Sequence, residues 1–216
     1  MDQPRSARTT VKREALRAEY ERDRILAIID AGLVAHVGVN TPDGPIVLPM
    51  AYGRDATHIY LHGSVANSML RHAQGAEVCV TITLLDGLVI ARSAFNNSMN
   101  YRSVVIRGCA DVVEGPAHLE ALRVISNHII QNWEYMRPPT PKEIAQTLVL
   151  AVPLDECSAK VRAGDPVDEP EDLDGPWWSG TIPLIAHWGT PAAAADLAEG
   201  IAPPTPVTGL AGRATR

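Results

Sequence analysis

From Leu33 onward the sequence keeps returning to a two-residue hydrophobic alternation interrupted by short turn signals, and that period confines most of the chain to antiparallel β structure. Leu33, Ala35, Val37 and Val39 alternate with Val34, His36 and Gly38, and the run stops at Thr41-Pro42-Asp43-Gly44, a hairpin turn. Residues 45–53 predict the returning strand, Gly53-Arg54-Asp55 a second turn, and 57–62 a third strand. Val78, Val80, Ile82 and Leu84 predict a strand over 77–85, punctuated at Asp86-Gly87 and extended by 87–93. Residues 101–114 predict the longest strand, and 147–162 return to β character. Helical spacing occurs in three places. Leu16, Tyr20, Ile25, Ile28 and Ile29 predict a helix over 11–30, stopped by Gly32. Residues 67–74 predict a short helix closed by Gly75, and Leu119, Leu122, Ile125 and Ile129 one from Pro116 to about Trp133. Short antiparallel strands with helices packed outside predict a small barrel closed on itself.

The 216 residues fit one domain over 1–188, with an acidic, Pro-containing loop at 165–174 and an Ala-, Pro- and Gly-rich segment at 189–216 expected to be a flexible tail. A net charge of −6 without a basic patch excludes the electrostatic footprint of a nucleic-acid binder. Apolar runs such as 147–153 are strand-sized, and 1–12 has no apolar h-region, so neither a membrane span nor a secretory signal is expected. Cys79, Cys109 and Cys157 stand far apart, which fits reduced thiols and a cytoplasmic location; the apolar alternation around Cys79 and Cys109 predicts their burial. His58 and His62 share a strand face but lie ~13 Å apart along it, too far to share one metal ion, and no metal site is expected.

Three segments could carry chemistry. His62 to Ser68 leaves a strand and enters a helix, where unpaired backbone N–H groups suit a phosphate; alternatively Ser64 or Asn67 simply caps the helix. Asn96 to Ser103 gathers polar residues before the long strand, and Arg102 offers a planar fork for phosphate or ring oxygens, or else lies on a solvated face. Ser158, Lys160 and Arg162 alternate, so they face one side of a strand, toward a ligand or toward solvent.

Leu48 to Tyr52, Ile59 to Ser64, Val78 to Gly87 and Asn100 to Val105 together resemble the pyridoxamine 5′-phosphate oxidase-like, FMN-binding split-barrel proteins, in the branch that contains nitroimidazole-reductase-type members. The likeness runs over about residues 15–184. It implies a mainly β, six-stranded antiparallel split barrel with flanking helices, forming a homodimer with FMN in two clefts at the subunit interface. Carried onto this chain, Val47, Leu48, Pro49 and Met50 would line the flavin ring with backbone groups. His62, Ser64, Asn67 and Ser68 would hold the phosphate; Tyr101, Arg102 and Ser103 would approach ring or phosphate from the long strand. Arg102, Lys160 or Arg162 would place a cation at the flavin edge, and Trp178, with Trp177 and Ser179, would cover the cofactor. Asn96-Asn97 stands where this branch commonly carries a His pair, and Asn67-Ser68 where pyridoxamine phosphate oxidases carry Arg-Lys.

The resemblance implies hydride or electron transfer through the flavin to a small organic substrate, such as a nitro or quinone compound. The alternative is a protein of the same fold holding haem or a deazaflavin, for which His36, His58, His62, His72, His118, His128 and His187 are the available ligands.

Overall fold

A computed structural model of the chain describes residues 5–215; residues 1–4 of the N-terminal segment and Arg216 at the end of the expected tail lie outside the described residues. Among the described residues, eleven strands and five α-helices follow one another as β1 (Ala18–Glu19), α1 (Arg22–Ala31), β2 (Ala35–Thr41), β3 (Gly44–Met50), β4 (Tyr52–Arg54), β5 (His58–Ser64), α2 (Ser68–Ala73), β6 (Glu77–Ile90), β7 (Ser98–Cys109), β8 (Asp111–Val112), α3 (Pro116–Ile129), α4 (Pro141–Ala145), β9 (Thr147–Pro153), β10 (Cys157–Arg162), β11 (Gly180–Pro183) and α5 (Thr205–Thr208). One sheet runs β1-β10-β7-β6-β2-β3, with β11 added on β6; the second runs β4-β5-β9-β8. Every pairing between these strands is antiparallel.

The alternating residues do what their period requires. Val37 and Val39 of β2, Val78, Val80 and Ile82 of β6, and Val104 and Ile106 of β7 turn inward, meeting Ile59 and Leu61 of β5 and Leu150 and Val152 of β9 in one core. Helix α1 adds Ile25, Ile28 and Ile29 to that core, and α2 adds Met69, Leu70 and Ala73. The chain passes from one sheet to the other four times, between β3 and β4 at Ala51, between β5 and β6, between β7 and β8, and between β9 and β10, so the two sheets share their interior. This is a mainly β, split-barrel architecture with helices outside.

Three expectations are corrected. The helix over 11–30 is confined to Arg22–Ala31, because Ala18 and Glu19 pair instead with Lys160 and Ala159 at a sheet edge. Glu14 is left-handed (φ 56°) and Leu16 is fully exposed, so the apparent helical repeat before residue 22 has no surface to bury. The longest strand is β6, with 14 residues, rather than β7, with 12, because Asp86 is a bulge that joins 77–85 and the expected extension beyond Gly87 into one strand. The β character expected over 147–162 is present, as two strands in different sheets. Of the cysteines, only Cys157 is buried, and burial pushes its thiol up to about 12; Cys79 and Cys109 are half-buried.

Asp55 fixes the β4–β5 turn. Its carboxylate accepts the N–H groups of Thr57 and His58 at 2.7 and 2.8 Å and the Tyr60 hydroxyl at 2.5 Å. Burial pushes its pKa up, but these hydrogen bonds outweigh that and hold it at about 2. An unfolded aspartate titrates near ~3.9, so the stabilisation is complete above that pH and is lost as pH falls toward about 2. Asp55→Asn therefore flattens the fall of melting temperature between about pH 4 and pH 2 relative to the native chain; equal slopes in the two proteins would exclude this role.

Past residue 188 the chain returns to the domain. The N–H groups of Trp188 and Thr215 donate to the carbonyls of Arg213 and Ala186 at 2.9 and 2.8 Å, closing an antiparallel bridge between His187 and Ala214.

Candidate functional site

The strand registers sort the large sheet into two faces, because directly paired residues project to the same side. One face is the core. The other carries four cross-strand rows: Val47–Gly38–Cys79–Arg107, then Pro49–His36–Thr81–Val105–Ser158, then Thr83–Ser103–Lys160, then Leu85–Tyr101–Arg162. These rows hold five hydroxyl groups and three cations with no Asp or Glu, a donor-rich surface in a chain whose net charge is −6. A hollow of about 220 Å³ opens on it between Gly38, Pro45, Val47, Cys79 and Arg107, with Glu77, paired with Arg8, at its edge.

The electrostatics of the face rest on its cations. Arg107 has a buried Nε with no partner among the described residues, and its charge lies close enough to Glu156 to lower that carboxyl's pKa. Lys160 Nζ donates to the Arg13 carbonyl at 3.2 Å and makes no ion pair among the described residues. Arg162, 8% exposed, is committed to structure: its guanidinium donates to Asn100 Oδ1 at 2.6 Å and to the carbonyls of Gly164 and Asp165.

The fourteen residues singled out from sequence divide by position. Val47, Pro49, Tyr101, Ser103, Lys160 and Arg162 share the donor-rich face. Leu48 and Met50 alternate to the opposite side and pack on the core. Arg102 is also on the opposite side, where the bulged Asp86 accepts its Nε at 3.0 Å and its terminal nitrogen at 2.7 Å, so its charge is neutralised internally. His62, Ser64, Asn67 and Ser68 belong to the second sheet and to α2. Asn67 accepts the Leu70 N–H at 3.2 Å as the cap of α2. His62 is paired with Val149, which packs under α3; the His62 Nδ1 is buried with no hydrogen-bond partner among the described residues, and burial holds the ring's pKa below the ordinary value. Trp178 is 65% exposed ahead of β11. Its neighbour Ser179 donates to the Asp168 carboxylate at 2.9 Å, which also binds the Arg92 N–H and guanidinium at 2.7 Å, so the acidic loop is pinned to the end of β6. Asn97 accepts the Ala91 N–H at 2.9 Å, ordering the Asn96-Asn97 turn.

Sequence reasoning passed over Arg107, Thr81 and Thr83. The signal was present: Arg107 continues the odd-numbered series Tyr101, Ser103, Val105 along β7.

Among the described residues no group of three or more His, Cys, Asp and Glu is placed to hold a metal ion. A haem-ligating histidine keeps Nε2 free while Nδ1–H is fixed by a carbonyl. His72 meets both conditions. It is exposed on α2, and its Nδ1 lies 2.7 Å from the Ser68 carbonyl, one helical turn back. His58 is tied to Thr57 Oγ1 at 2.8 Å, and His128 gives its Nε2 to the Gly32 carbonyl at 2.7 Å and packs on Tyr52. His187 has a longer contact, 3.3 Å, to Gly212.

The sequence profile of pyridoxamine 5′-phosphate oxidase matches residues 21–161. Among solved structures, the flavocytochrome Anf3 from Azotobacter vinelandii is 36% identical, over 97% of this chain and 99% of that one, with a TM-score of 0.91. An FAD and haem binding protein from Mycobacterium smegmatis is 33% identical over 93% of this chain and 99% of its own, with a TM-score of 0.88. A Bacteroides thetaiotaomicron protein described as a candidate in 5-nitroimidazole antibiotic resistance is 25% identical over 67% of this chain and 86% of its own, with a TM-score of 0.57. No curated protein matches at the same stringency. The profile and the two near full-length likenesses agree: the chain belongs to the pyridoxamine 5′-phosphate oxidase family.

Proposed function

We propose that the protein is a redox protein that binds a flavin nucleotide on the donor-rich face of its large sheet and haem through His72. FAD, which the name of the Mycobacterium smegmatis relative carries, is the flavin proposed alongside the FMN expected from sequence. The observation that carries the flavin is that face itself: hydroxyls from Thr81, Thr83 and Ser103, cations at Lys160 and Arg107, and a buried donor on Arg107, with the carboxylates at the Arg107 end, Glu77 and Glu156, paired with Arg8. Such a surface suits ribityl hydroxyls and a phosphate or diphosphate. The haem is supported by the His72 geometry and by the reach of the comparisons. The family profile stops at residue 161, whereas the two proteins whose names join flavin with haem match over 93 and 97% of the chain, and so extend over most of residues 162–216 as well.

When bound, the flavin supplies hydride or electron transfer and the haem a one-electron centre. The chain's own residues bind and orient. Lys160 places a positive charge beside the cofactor, and the Thr81, Thr83 and Ser103 hydroxyls set its register along β6 and β7. The homodimer belongs to the same proposal. The donor-rich face is bordered by the exposed side chains of Val47 and Leu85, and a second copy laid against it would shut the cofactor away from water.

The test is equilibrium titration of the purified protein with FAD and with FMN, monitored by flavin fluorescence. Lys160→Ala weakens binding about tenfold, the magnitude of one charge-assisted hydrogen bond, or about 1.4 kcal/mol. Arg102→Ala leaves it unchanged, because that charge is already paired with Asp86 on the other side. Unaltered affinity in Lys160→Ala, or a loss only in Arg102→Ala, would overturn the placement.

A further inference from the structure

A separate cleft of about 190 Å³ lies where α1 and α3 end and the last described residues fold back over them. One wall is apolar, built from Leu33, Ile130, Leu210 and the ring of Trp188. The other holds donors. Asn127 accepts the Trp133 N–H on its Oδ1, leaving its amide nitrogen to donate. The Gln131 amide is unpartnered, and the Arg213 guanidinium makes no ion pair among the described residues. None of the described residues lining the cleft is acidic. The backbone fixes this pairing of aromatic and cation. The Trp188 N–H donates to the Arg213 carbonyl and the Gly212 N–H to the Trp188 carbonyl, both at 2.9 Å, so both side chains line the same cleft.

A concave site with an aromatic wall and a few convergent donors selects a small anion with an apolar body. An apolar cavity of about 150 Å³ accepts benzene, so this one has room for a single ring bearing one polar group. We propose that the cleft binds a monocyclic aromatic carboxylate, its ring against Trp188 and its carboxylate on Arg213 and Gln131. The flavin face plays no part in this, and the site stands or falls independently of the cofactors.

Isothermal titration of the full chain with benzoate tests the proposal, with benzyl alcohol (the same ring without the charge) and acetate (the charge without the ring) as matched probes. The expected result is saturable one-to-one binding of benzoate, at least tenfold tighter than either control, and at least tenfold weaker in Arg213→Gln. Arg213 is exposed and its clasp contacts use only backbone atoms, so the variant keeps the fold, which an unchanged thermal melt verifies. Absence of saturation with benzoate, equal affinity for benzyl alcohol, or an Arg213→Gln loss below tenfold would overturn it.

Discussion

His72→Ala is expected to purify without Soret absorption while keeping its flavin bands. Haem iron is held by a ring nitrogen whose partner nitrogen is anchored, and His72 offers that arrangement, with Nδ1 2.7 Å from the Ser68 carbonyl on an exposed side chain. Met69, Leu70 and Ala73 anchor α2 in the core, whereas His72 is exposed, so its removal changes stability by no more than about 0.5 kcal/mol. The loss is then a loss of ligation and not of folding. His36→Ala serves as the contrast: it lies on the donor-rich face beside Thr81 and Pro49, so it perturbs flavin affinity and spares the Soret band. A His72→Ala protein that retains full haem absorption would remove this histidine from the account.

The largest effect on stability is expected at Gly53. Helix α3 crosses β4 so closely that a Cβ on Gly53 would stand 2.6 Å from the Ile125 Cα and 2.7 Å from the Val124 carbonyl oxygen. Those are backbone atoms, which no rotamer change can move aside, so Gly53→Val must lift α3 from the sheet. Overpacking of this kind costs at least about 3 kcal/mol, a large part of a small domain's stability. The helix seals the cluster of Ala121, Ile125 and Val149, and that cluster opens with it. In urea unfolding the variant loses most of its stability or fails to fold, while Gly189→Ala, in open space, unfolds at the native midpoint. A change below about 1 kcal/mol in Gly53→Val would contradict the close crossing.

Local chemistry made much of this molecule legible in the sequence. The two-residue alternation located β2, β6 and β7, the Thr41–Gly44 turn closed its hairpin with Gly44 at φ 114°, and Asn67 marked the start of α2. Failures came where a distant partner outweighed a local pattern. Residues 11–21 carried a helical repeat, yet Ala18 and Glu19 gain more by completing the edge of β10. Asp86-Gly87 had the composition of a turn, yet β11 packs so tightly on Gly87 that a Cβ there would meet the Ile182 carbonyl at 2.6 Å; the pair is a bulge in a continuous strand. The same parity that joins Tyr101 to Ser103 sends Arg102 to the other side, a distinction that strand register makes and a run of neighbouring residues hides. His72 could be told from the other histidines only once its Nδ1 partner was known.

The central claim is that one chain carries two redox groups, a flavin on the outer sheet face and a haem on α2. The absorbance spectrum of the protein, purified from cells supplied with a haem precursor, tests it most directly. The account predicts flavin bands and a Soret band together in the same protein fraction. A protein that takes up haem but no flavin, or flavin but no haem, even after incubation with both, would contradict it.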